Sequence, residues 1–471
     1  MSEPVPVASQ SARRDLTRGP VERHLVNLTV PMIWGIIAFM SVSLADAYFL
    51  GQLGTDELAA ISFTFPVVFT LSTMAIGLGA GAGSVVSRAI GENDHRQVRR
   101  LATDSLILAL LIVAVCCVLG WLTIDPLFRL LGAEGEIHDL VRRYMRIWYL
   151  GMPFLVVPLV ANNLIRANGD ARVPSLILIV SAAMNVGLAF WLIFGGLGVP
   201  PLGIEGAAWA SLLARAAAFV LSLTIIITRE KLIAFVRPPA EELLASWRRV
   251  LGVGIPAALG NMMNPIGVGL VTGMIATFGS ENVAAFGAAT RIEMFAAIPL
   301  LALSAAIGPI AGQNWGAGTR RRVDRALRLS FGFAVVWALA MSAAAFFGAS
   351  TLARAFTTDP AVAAEIARYL HIVSTSLMGY GVIVVAAACC NAIGYPRSSL
   401  TIFLGRMAIL YVPLSWIAAR FFDVSAIYWA IWLANMLAGL LAGAIVLRIV
   451  NEARGKGGRT QDRASARIEP V

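Results

Sequence analysis

About twelve long apolar segments follow one another along this chain of 471 residues. A helix needs about 20 apolar residues to cross the hydrocarbon core of a bilayer, because each residue advances about 1.5 Å. Only 14% of the residues are charged, whereas soluble domains carry about 25%. This balance excludes a disordered chain and argues strongly against a soluble enzyme. The sequence therefore predicts an all-α integral membrane protein with twelve transmembrane helices.

The apolar segments give approximate bounds for the predicted helices. They fall at 27–50, 58–88, 100–124, 140–165, 172–195, 204–228, 251–278, 283–312, 326–349, 365–392, 398–420 and 425–450. Two of them, 58–88 and 283–312, are unusually long and rich in glycine, which favours helices that are tilted or bent.

The basic residues are distributed unevenly between the two sets of loops. The formal net charge is +10, from 37 basic and 27 acidic residues. When alternate loops are assigned to opposite sides of the membrane, 27 of the 37 basic residues fall on the side that holds both termini. The positive-inside rule produces this distribution. It accounts for the basic balance without a nucleic-acid partner, and it predicts that both termini lie in the cytoplasm.

The two halves of the chain repeat each other at a constant offset of 225 residues. Identical residues align at this offset without a gap over long stretches. The aligned pairs include Pro31 and Pro256, Gly54 and Gly279, Gly83 and Gly308, Gly91 and Gly316, Tyr144 and Tyr369, and Gly169 and Gly394. Chance identity would give isolated matches but not a constant offset.

Each half of the repeat contains six predicted helices, an even number, so both halves enter the membrane from the same side. The repeat is therefore parallel, with a pseudo-twofold axis along the membrane normal. We predict a cytoplasmic tail at 1–26, an N-terminal bundle at 27–228, a cytoplasmic linker at 229–249, a C-terminal bundle at 250–450 and a cytoplasmic tail at 451–471. Two such bundles favour rocking about a central cavity, which is the physical basis of alternating access.

Each half contains a distinctive short motif, and the motif of the second half lies at the repeat position of Gly91 and the residues before it. The first half contains Asp-x4-Gly-x2-Gly at 46–54 followed by Leu-Ala-Ala at 58–60, and the second contains Gly-Gln-Asn-x-Gly-Ala-Gly at 312–318. Together they resemble the multidrug and toxic compound extrusion (MATE) transporters, in particular their bacterial DinF-like branch, over nearly the whole chain. The resemblance implies a secondary-active exporter in the bacterial inner membrane, which exchanges amphiphilic or cationic organic compounds for protons or sodium ions. It implies no cofactor, and the two-bundle architecture predicts a monomer surrounded by membrane lipid.

Asp46 lies within the first predicted helix. A carboxylate at the centre of a membrane helix costs about 2.5–3.5 kcal/mol on insertion scales, so it is a functional candidate by default. The resemblance implies that this aspartate binds the coupling ion or a proton. It also implies polar partners on the fourth to sixth helices, for which the matching positions are Tyr144, Asn162, Asn185 and Ser211. A structural carboxylate near the membrane surface is the alternative.

One departure from the family pattern bears on the coupling ion. Many relatives have Asn-x3-Asp on the fifth helix, whereas here Asn185 is followed four positions later by Ala189. Carboxylate oxygens are preferred ligands of hard cations, so the loss of this acid weakens a sodium site. The departure favours protons over sodium ions.

The second half carries a different set of charged candidates. Some relatives have acids on the seventh and tenth helices, but Asn264 and Val382 occupy the nearest positions here. Instead, Glu293 and Arg291 lie within one predicted span and Arg406 lies within another. Residues two apart on a helix do not face each other, so Arg291 is not predicted to pair with Glu293. Arg406 is the candidate partner, in either a structural ion pair or a proton- or substrate-binding site.

No sequence feature indicates catalysis or ATP hydrolysis. The glycine-rich run at 77–83 resembles a dinucleotide loop, but no strand precedes it, and small residues inside a span allow close helix packing. Neither a Gly-x4-Gly-Lys-Ser/Thr motif nor a metal-site or catalytic-triad motif is present. A flippase for a lipid-linked sugar remains the alternative function, since Arg215, Arg291 and Arg406 would suit a cationic cavity. A membrane-embedded transferase would need clustered catalytic residues, which the sequence lacks.

Overall fold

The computed structural model describes residues 15–196, 198–234 and 239–465, which fold into helices joined by short loops. Within these ranges, the only pairing of extended backbone is an isolated bridge between Gly196 and Val199. The first 14 residues of the predicted N-terminal tail, residues 235–238 of the linker and the last six residues of the C-terminal tail lie outside the described residues. The predicted all-α class is confirmed.

The described part of the first half contains seven helices. Their bounds are α1 Val21–Gly51, α2 Thr55–Gly91, α3 His95–Leu130, α4 Gly135–Leu150, α5 Met152–Ala167, α6 Arg172–Phe194 and α7 Ile204–Thr228. Only Gly151 separates α4 from α5, and the two are bent by 44°, so that they form one broken span. The first half therefore crosses the membrane six times.

The second half repeats this order with more interruptions. Its helices are α8 Ala240–Ala276, α9 Ser280–Ala296, α10 Ile298–Gly316, α11 Arg320–Phe356, α12 Pro360–Val373, α13 Leu377–Ile393, α14 Pro396–Leu404, α15 Val412–Phe421 and α16 Val424–Ser465. A 3-10 turn at Ser374–Ser376 joins α12 to α13, and a π-helical segment at Gly405–Tyr411 joins α14 to α15. With α9 and α10 forming a second pair bent by 44°, the described residues provide the twelve predicted spans.

The bends have local causes in the sequence. Pro153 and Pro299 lie in the first turns of α5 and α10. A proline there lacks the N–H that would continue the preceding helix, yet it fits the start of a new one. The bend predicted within 283–312 is confirmed at Ala297, whereas 58–88 lies within the single helix α2. The break at Gly151 was not predicted, and its repeat equivalent is the 3-10 turn between α12 and α13.

Reciprocal glycine contacts join the two halves at the end that carries the arginine-rich loops, which we call the basic end. Gly91 of the first half lies against the backbone of Gln313, and Gly316 of the second half lies against the backbone of Arg88. Arg88 and Gln313 are themselves repeat partners, so the pseudo-twofold axis relates the two contacts. A side chain at either glycine would overlap the opposite backbone, which is why this close approach requires glycine.

The hydrogen bonds between the halves also lie near the basic end. Ser84 donates to the carbonyl of Asn391 at 2.6 Å, Gln313 donates to the carbonyl of Ala167 at 2.7 Å, and Trp247 donates to a carbonyl on α3 at 3.0 Å. Among the described residues, the hydrogen bonds and close glycine contacts that cross between the halves are confined to the half of the molecule nearer this end. The halves are therefore closed at the basic end and separate towards the opposite end.

Residues 15–20, which we call the N-terminal strap, add a further contact at the basic end. The N–H of Leu16 donates to the side chain of Gln313 at 3.1 Å, and its carbonyl accepts from Asn314 and Arg322, each at 3.1 Å. The side chain of Leu16 is 1% exposed and belongs to an apolar cluster built mainly by the second half. The strap thus ties the start of α1 to α10 and α11.

Candidate functional site

Asp46 is the acidic residue in the apolar part of α1, far from Glu22 in the first turn of that helix. It is positioned about one and a half turns before the end of that helix at Gly51, towards the end where the halves separate. Its Oδ1 is buried and has no hydrogen-bond partner among the described residues. An unpaired carboxylate oxygen in such a place is costly, which makes Asp46 ready to accept a proton or a cation.

Arg215 of α7 is the basic residue that interacts electrostatically with this carboxylate. It interacts electrostatically with both Asp46 and Tyr144. Its guanidinium lies 5.9 Å from the ring centroid of Trp148, and it forms no ion pair or hydrogen bond with a described side chain. The predicted candidates Asp46 and Tyr144 are thus neighbours around a half-buried arginine. From the sequence, Arg215 was predicted only as one of three arginines that would suit a cationic cavity, not as a neighbour of Asp46.

Two further predicted candidates are brought together by the packing of α6 on α7. The side-chain amide of Asn185 donates to the hydroxyl of Ser211 at 2.9 Å, and both residues are 5% exposed. The Oδ1 of Asn185 has no partner among the described residues, so it remains available to a ligand or a water molecule. This hydrogen bond gives the amide of Asn185 an acceptor and the hydroxyl of Ser211 a donor, which lipid could not provide.

Asn162 is the member of the predicted set that lies apart. It is buried on α5, about one and a half turns before that helix ends at the basic end. Asp46 lies near the opposite end of its own helix, and no contact joins the two residues among those the structure describes. The Oδ1 of Asn162 is also unpaired. The N-terminal bundle therefore has polar side chains at two different depths along its helices, one near Asp46 and one near Asn162.

Glu293 of α9 forms the acidic centre of the second half. The hydroxyl of Tyr369 on α12 donates to its carboxylate at 2.5 Å. Tyr369 in turn packs edge-on against Tyr428 at 5.0 Å and Phe286 at 5.6 Å. The aromatic packing fixes the direction of the hydroxyl, so Glu293 is held by one oriented donor.

Arg406 lies in the π-helical segment and is 5% exposed. Its guanidinium donates to Asn435 at 2.9 Å and to Asn264 at 3.1 Å, and it lies near the rings of Tyr380 and Tyr411 at 5.1 and 5.5 Å. The hydrogen-bonded partners are neutral. A π-helical turn is frequent at functional positions, and here it places a buried cation where α8, α13 and α16 converge.

Glu293 and Arg406 are electrostatic neighbours but do not form a direct ion pair among the described residues. The two predicted partners therefore lie within electrostatic range of each other but do not form the predicted ion pair. Arg291 is exposed on α9 and has no side-chain partner among the described residues, so it does not belong to this cluster.

Sequence reasoning did not identify the partners of Glu293 and Arg406. Tyr369 was visible as the repeat equivalent of Tyr144, but its contact with Glu293 depends on the approach of α9 to α12. Asn435 and Ser376, which bond each other at 2.9 Å, carried no signal beyond being polar residues in apolar spans. In the described part of the chain, no group of three or more histidine, cysteine or acidic residues forms a metal site.

The sequence matches the MatE family over residues 31–191 and 256–417, one match in each half. An FAD transporter of Shewanella oneidensis is 36% identical over 425 residues, which cover 90% of this chain and 94% of that protein. The multidrug export protein MepA of Staphylococcus haemolyticus is 24% identical over 91% of this chain and 94% of its own length.

Solved structures share the same architecture. A multidrug resistance MATE family transporter described in an outward-facing conformation superposes with a TM-score of 0.87 at 26% identity, over 93% of this chain and 98% of that one. A MATE structure in complex with MaL6 gives a TM-score of 0.88 at 25% identity, over 95% of this chain and all of that one.

Proposed function

The chain belongs to the MatE family of membrane transporters, and on this premise we propose that it is a secondary-active exporter whose coupling group is Asp46. The observation that carries the proposal is the buried, unpaired Oδ1 of Asp46 at the end where the two halves separate. A proton or cation that binds there removes the cost of leaving this oxygen unpaired. Proton coupling is favoured, because Ala189 stands where many relatives have a second acid, and a sodium ion needs several oxygen ligands.

The transport cycle follows from the closure at the basic end. In the described conformation, substrate leaves through the separated end, and ion binding at Asp46 favours the return to a state that is open at the basic end. Exchange of substrate and ion then occurs by alternating access between these two states. We place the protein in the bacterial inner membrane as a monomer, with both termini in the cytoplasm, so that the direction is export.

The first substrate class that we propose is amphiphilic aromatic compounds, including organic cations. The relatives named as multidrug exporters support this class. Tyr144 lies near Asp46, and a carboxylate beside an aromatic ring suits a cation with an apolar body.

A second substrate class is favoured by Arg215, which is half-buried. Arg215 has no direct acidic partner among the described side chains, and the relative with 36% identity is named as an FAD transporter. A flavin dinucleotide combines a flat aromatic ring with two phosphates. We propose it as the alternative cargo, with Arg215 binding a phosphate when Asp46 is protonated. The same arginine would serve a lipid-linked sugar phosphate.

Uptake into inside-out membrane vesicles tests the function. Vesicles are given first a pH gradient and then a sodium gradient, and the entry of a fluorescent organic cation and of FAD is followed. We expect uptake under the pH gradient alone and loss of this uptake in Asp46→Asn. The matched control is Asp56→Asn, which changes an exposed aspartate at the start of α2 and should transport normally.

The outcomes separate the two substrate classes. Entry of the organic cation identifies a drug exporter, and entry of FAD without the cation identifies a dinucleotide exporter that Arg215→Gln should inactivate. If neither compound moves under either gradient, the exporter proposal is wrong. If Asp46→Asn transports as the wild type and the control Asp56→Asn do, Asp46 is not the coupling group.

A further inference from the structure

A groove on the second half lies at the basic end, between α8 and the start of α14. It has a volume of about 610 Å³, and its lining includes Arg248, Leu251, Ile255, Tyr395 and Arg397. Ile255 and the two arginines are exposed. The groove therefore offers two cations at one end and an exposed apolar wall beside them.

The two arginines of this groove are free to bind an anion. Neither the side chain of Arg248 nor that of Arg397 forms an ion pair or a hydrogen bond with a described residue. The acids Glu241 and Glu242 lie about two turns before Arg248 on α8, outside the groove. The lining itself contains no acidic residue.

The internal repeat supplies a comparison within the same molecule. At the offset of 225, Arg248 and Arg397 align with Arg23 and Arg172, and Ile255 aligns with Val30. Tyr395, however, aligns with an acid, Asp170.

Asp170 places a negative charge in the equivalent region of the first half, where it forms an ion pair with Arg229. Its carboxylate accepts from the N–H of Arg172 at 2.9 Å and from the side chain of Arg229 at 2.8 Å. The groove of the second half has Tyr395 instead, which packs edge-on against Trp315 with ring centroids 6.2 Å apart. The two repeats thus keep the arginines and the apolar wall but differ in the acid.

We propose that the groove of the second half is a binding site for one anionic membrane phospholipid. Arg248 and Arg397 bind the headgroup phosphate, Tyr395 contacts the glycerol region, and Leu251 and Ile255 contact the first part of an acyl chain. Basic residues next to a membrane helix attract anionic lipid, and an apolar wall beside them selects a lipid over a free anion. The site is separate from Asp46 and from Glu293.

Native mass spectrometry of the full chain in detergent tests the proposal, with phosphatidylglycerol or phosphatidylcholine as the added lipid. We expect one phosphatidylglycerol to bind with an affinity that falls about tenfold in the double variant Arg248→Gln/Arg397→Gln. The matched control is Arg23→Gln/Arg172→Gln, which removes the same charge from the repeat-related positions and should bind as the wild type does. Phosphatidylcholine should bind weakly to all three proteins.

A second pair of variants keeps the test valid if the double variant does not fold. Tyr395→Asp introduces the acid of the first repeat and should weaken phosphatidylglycerol binding, whereas Tyr395→Asn removes the same ring without the charge and should bind more tightly than Tyr395→Asp. Equal losses in the two double variants would mean diffuse attraction and overturn the site. Displacement of the lipid by millimolar glycerol phosphate or inorganic phosphate would overturn its assignment to a membrane lipid.

Discussion

Tyr144 and Tyr369 occupy equivalent positions in the two halves of the repeat, and each lies beside the acidic residue of its own half. Tyr369 donates a hydrogen bond to Glu293, whereas Tyr144 interacts with Asp46 only through space. The two acids are not repeat partners, since Asp46 is on α1 and Glu293 is on α9. The repeat has kept the tyrosine while the carboxylate comes from a different helix.

This difference predicts unequal effects of the same substitution in the two halves. Tyr369→Phe removes a hydrogen bond to a carboxylate and should lower the free energy of unfolding by about 1.5–3 kcal/mol. Tyr144→Phe removes no direct hydrogen bond and should change it by less than about 0.5 kcal/mol. Thermal unfolding of both variants in the same lipid nanodiscs makes the comparison. Equal losses would show that the bond from Tyr369 to Glu293 contributes no net stability.

The cluster around Arg406 predicts a strong structural effect. Arg406→Met removes two hydrogen bonds to Asn435 and Asn264 and leaves their oxygens without a donor in a buried region. We expect a loss of about 3 kcal/mol or more in the free energy of unfolding. Arg291→Met is the matched control on an exposed arginine, and it should stay within about 0.5 kcal/mol of the wild type. If the two variants lose equal stability, the hydrogen bonds of Arg406 do not matter for folding.

The span count and the repeat could be predicted because hydrophobicity and identity at a fixed offset are properties of the sequence itself. Asp46 and Glu293 could be selected for the same reason, since an acid inside an apolar segment stands out. The 44° break at Gly151 could not, because glycine and proline inside a long helix permit a break without requiring one. Which helix bends is decided by packing against its neighbours.

The sequence also did not predict which residues contact the charged side chains. Arg406 was predicted beside Glu293, but its hydrogen bonds go to Asn435 and Asn264, which lie on helices distant in the chain. Asn162 was grouped with Asp46, yet it lies towards the basic end of its own helix. The depth of a residue along its helix follows from the helix bounds. Which residues contact each other depends on how the helices pack side by side, and no local pattern in a single sequence gives that packing.

The reciprocal glycine contacts predict how the basic end opens. Gly91→Ala places a methyl group against the backbone of Gln313, and such overpacking costs about 1–3 kcal/mol. The cost applies only to the closed state, so the equilibrium should shift towards an open basic end. Spin labels at the repeat partners Arg96 and Arg321, both exposed, would report longer distances in double electron–electron resonance after the native cysteines are replaced.

The matched control for this experiment is Gly332→Ala. A side chain at Gly332 would meet no atom within 4 Å, so the label distances should equal those of the unsubstituted protein. An unchanged distance distribution in Gly91→Ala would contradict the role of this contact in closing the basic end.

The N-terminal strap predicts a second way to open the same end. Leu16 is fully buried against the second half, and truncation of a buried leucine to alanine costs about 2–5 kcal/mol. The strap bridges the two halves in the closed arrangement, so we expect Leu16→Ala also to lengthen the distance between labels at Arg96 and Arg321. Val26→Ala truncates a side chain that is 59% exposed on α1 and should leave the distances unchanged. A loss of stability in Leu16→Ala without any change in the distances would show that the strap stabilises both states equally and does not close the transporter.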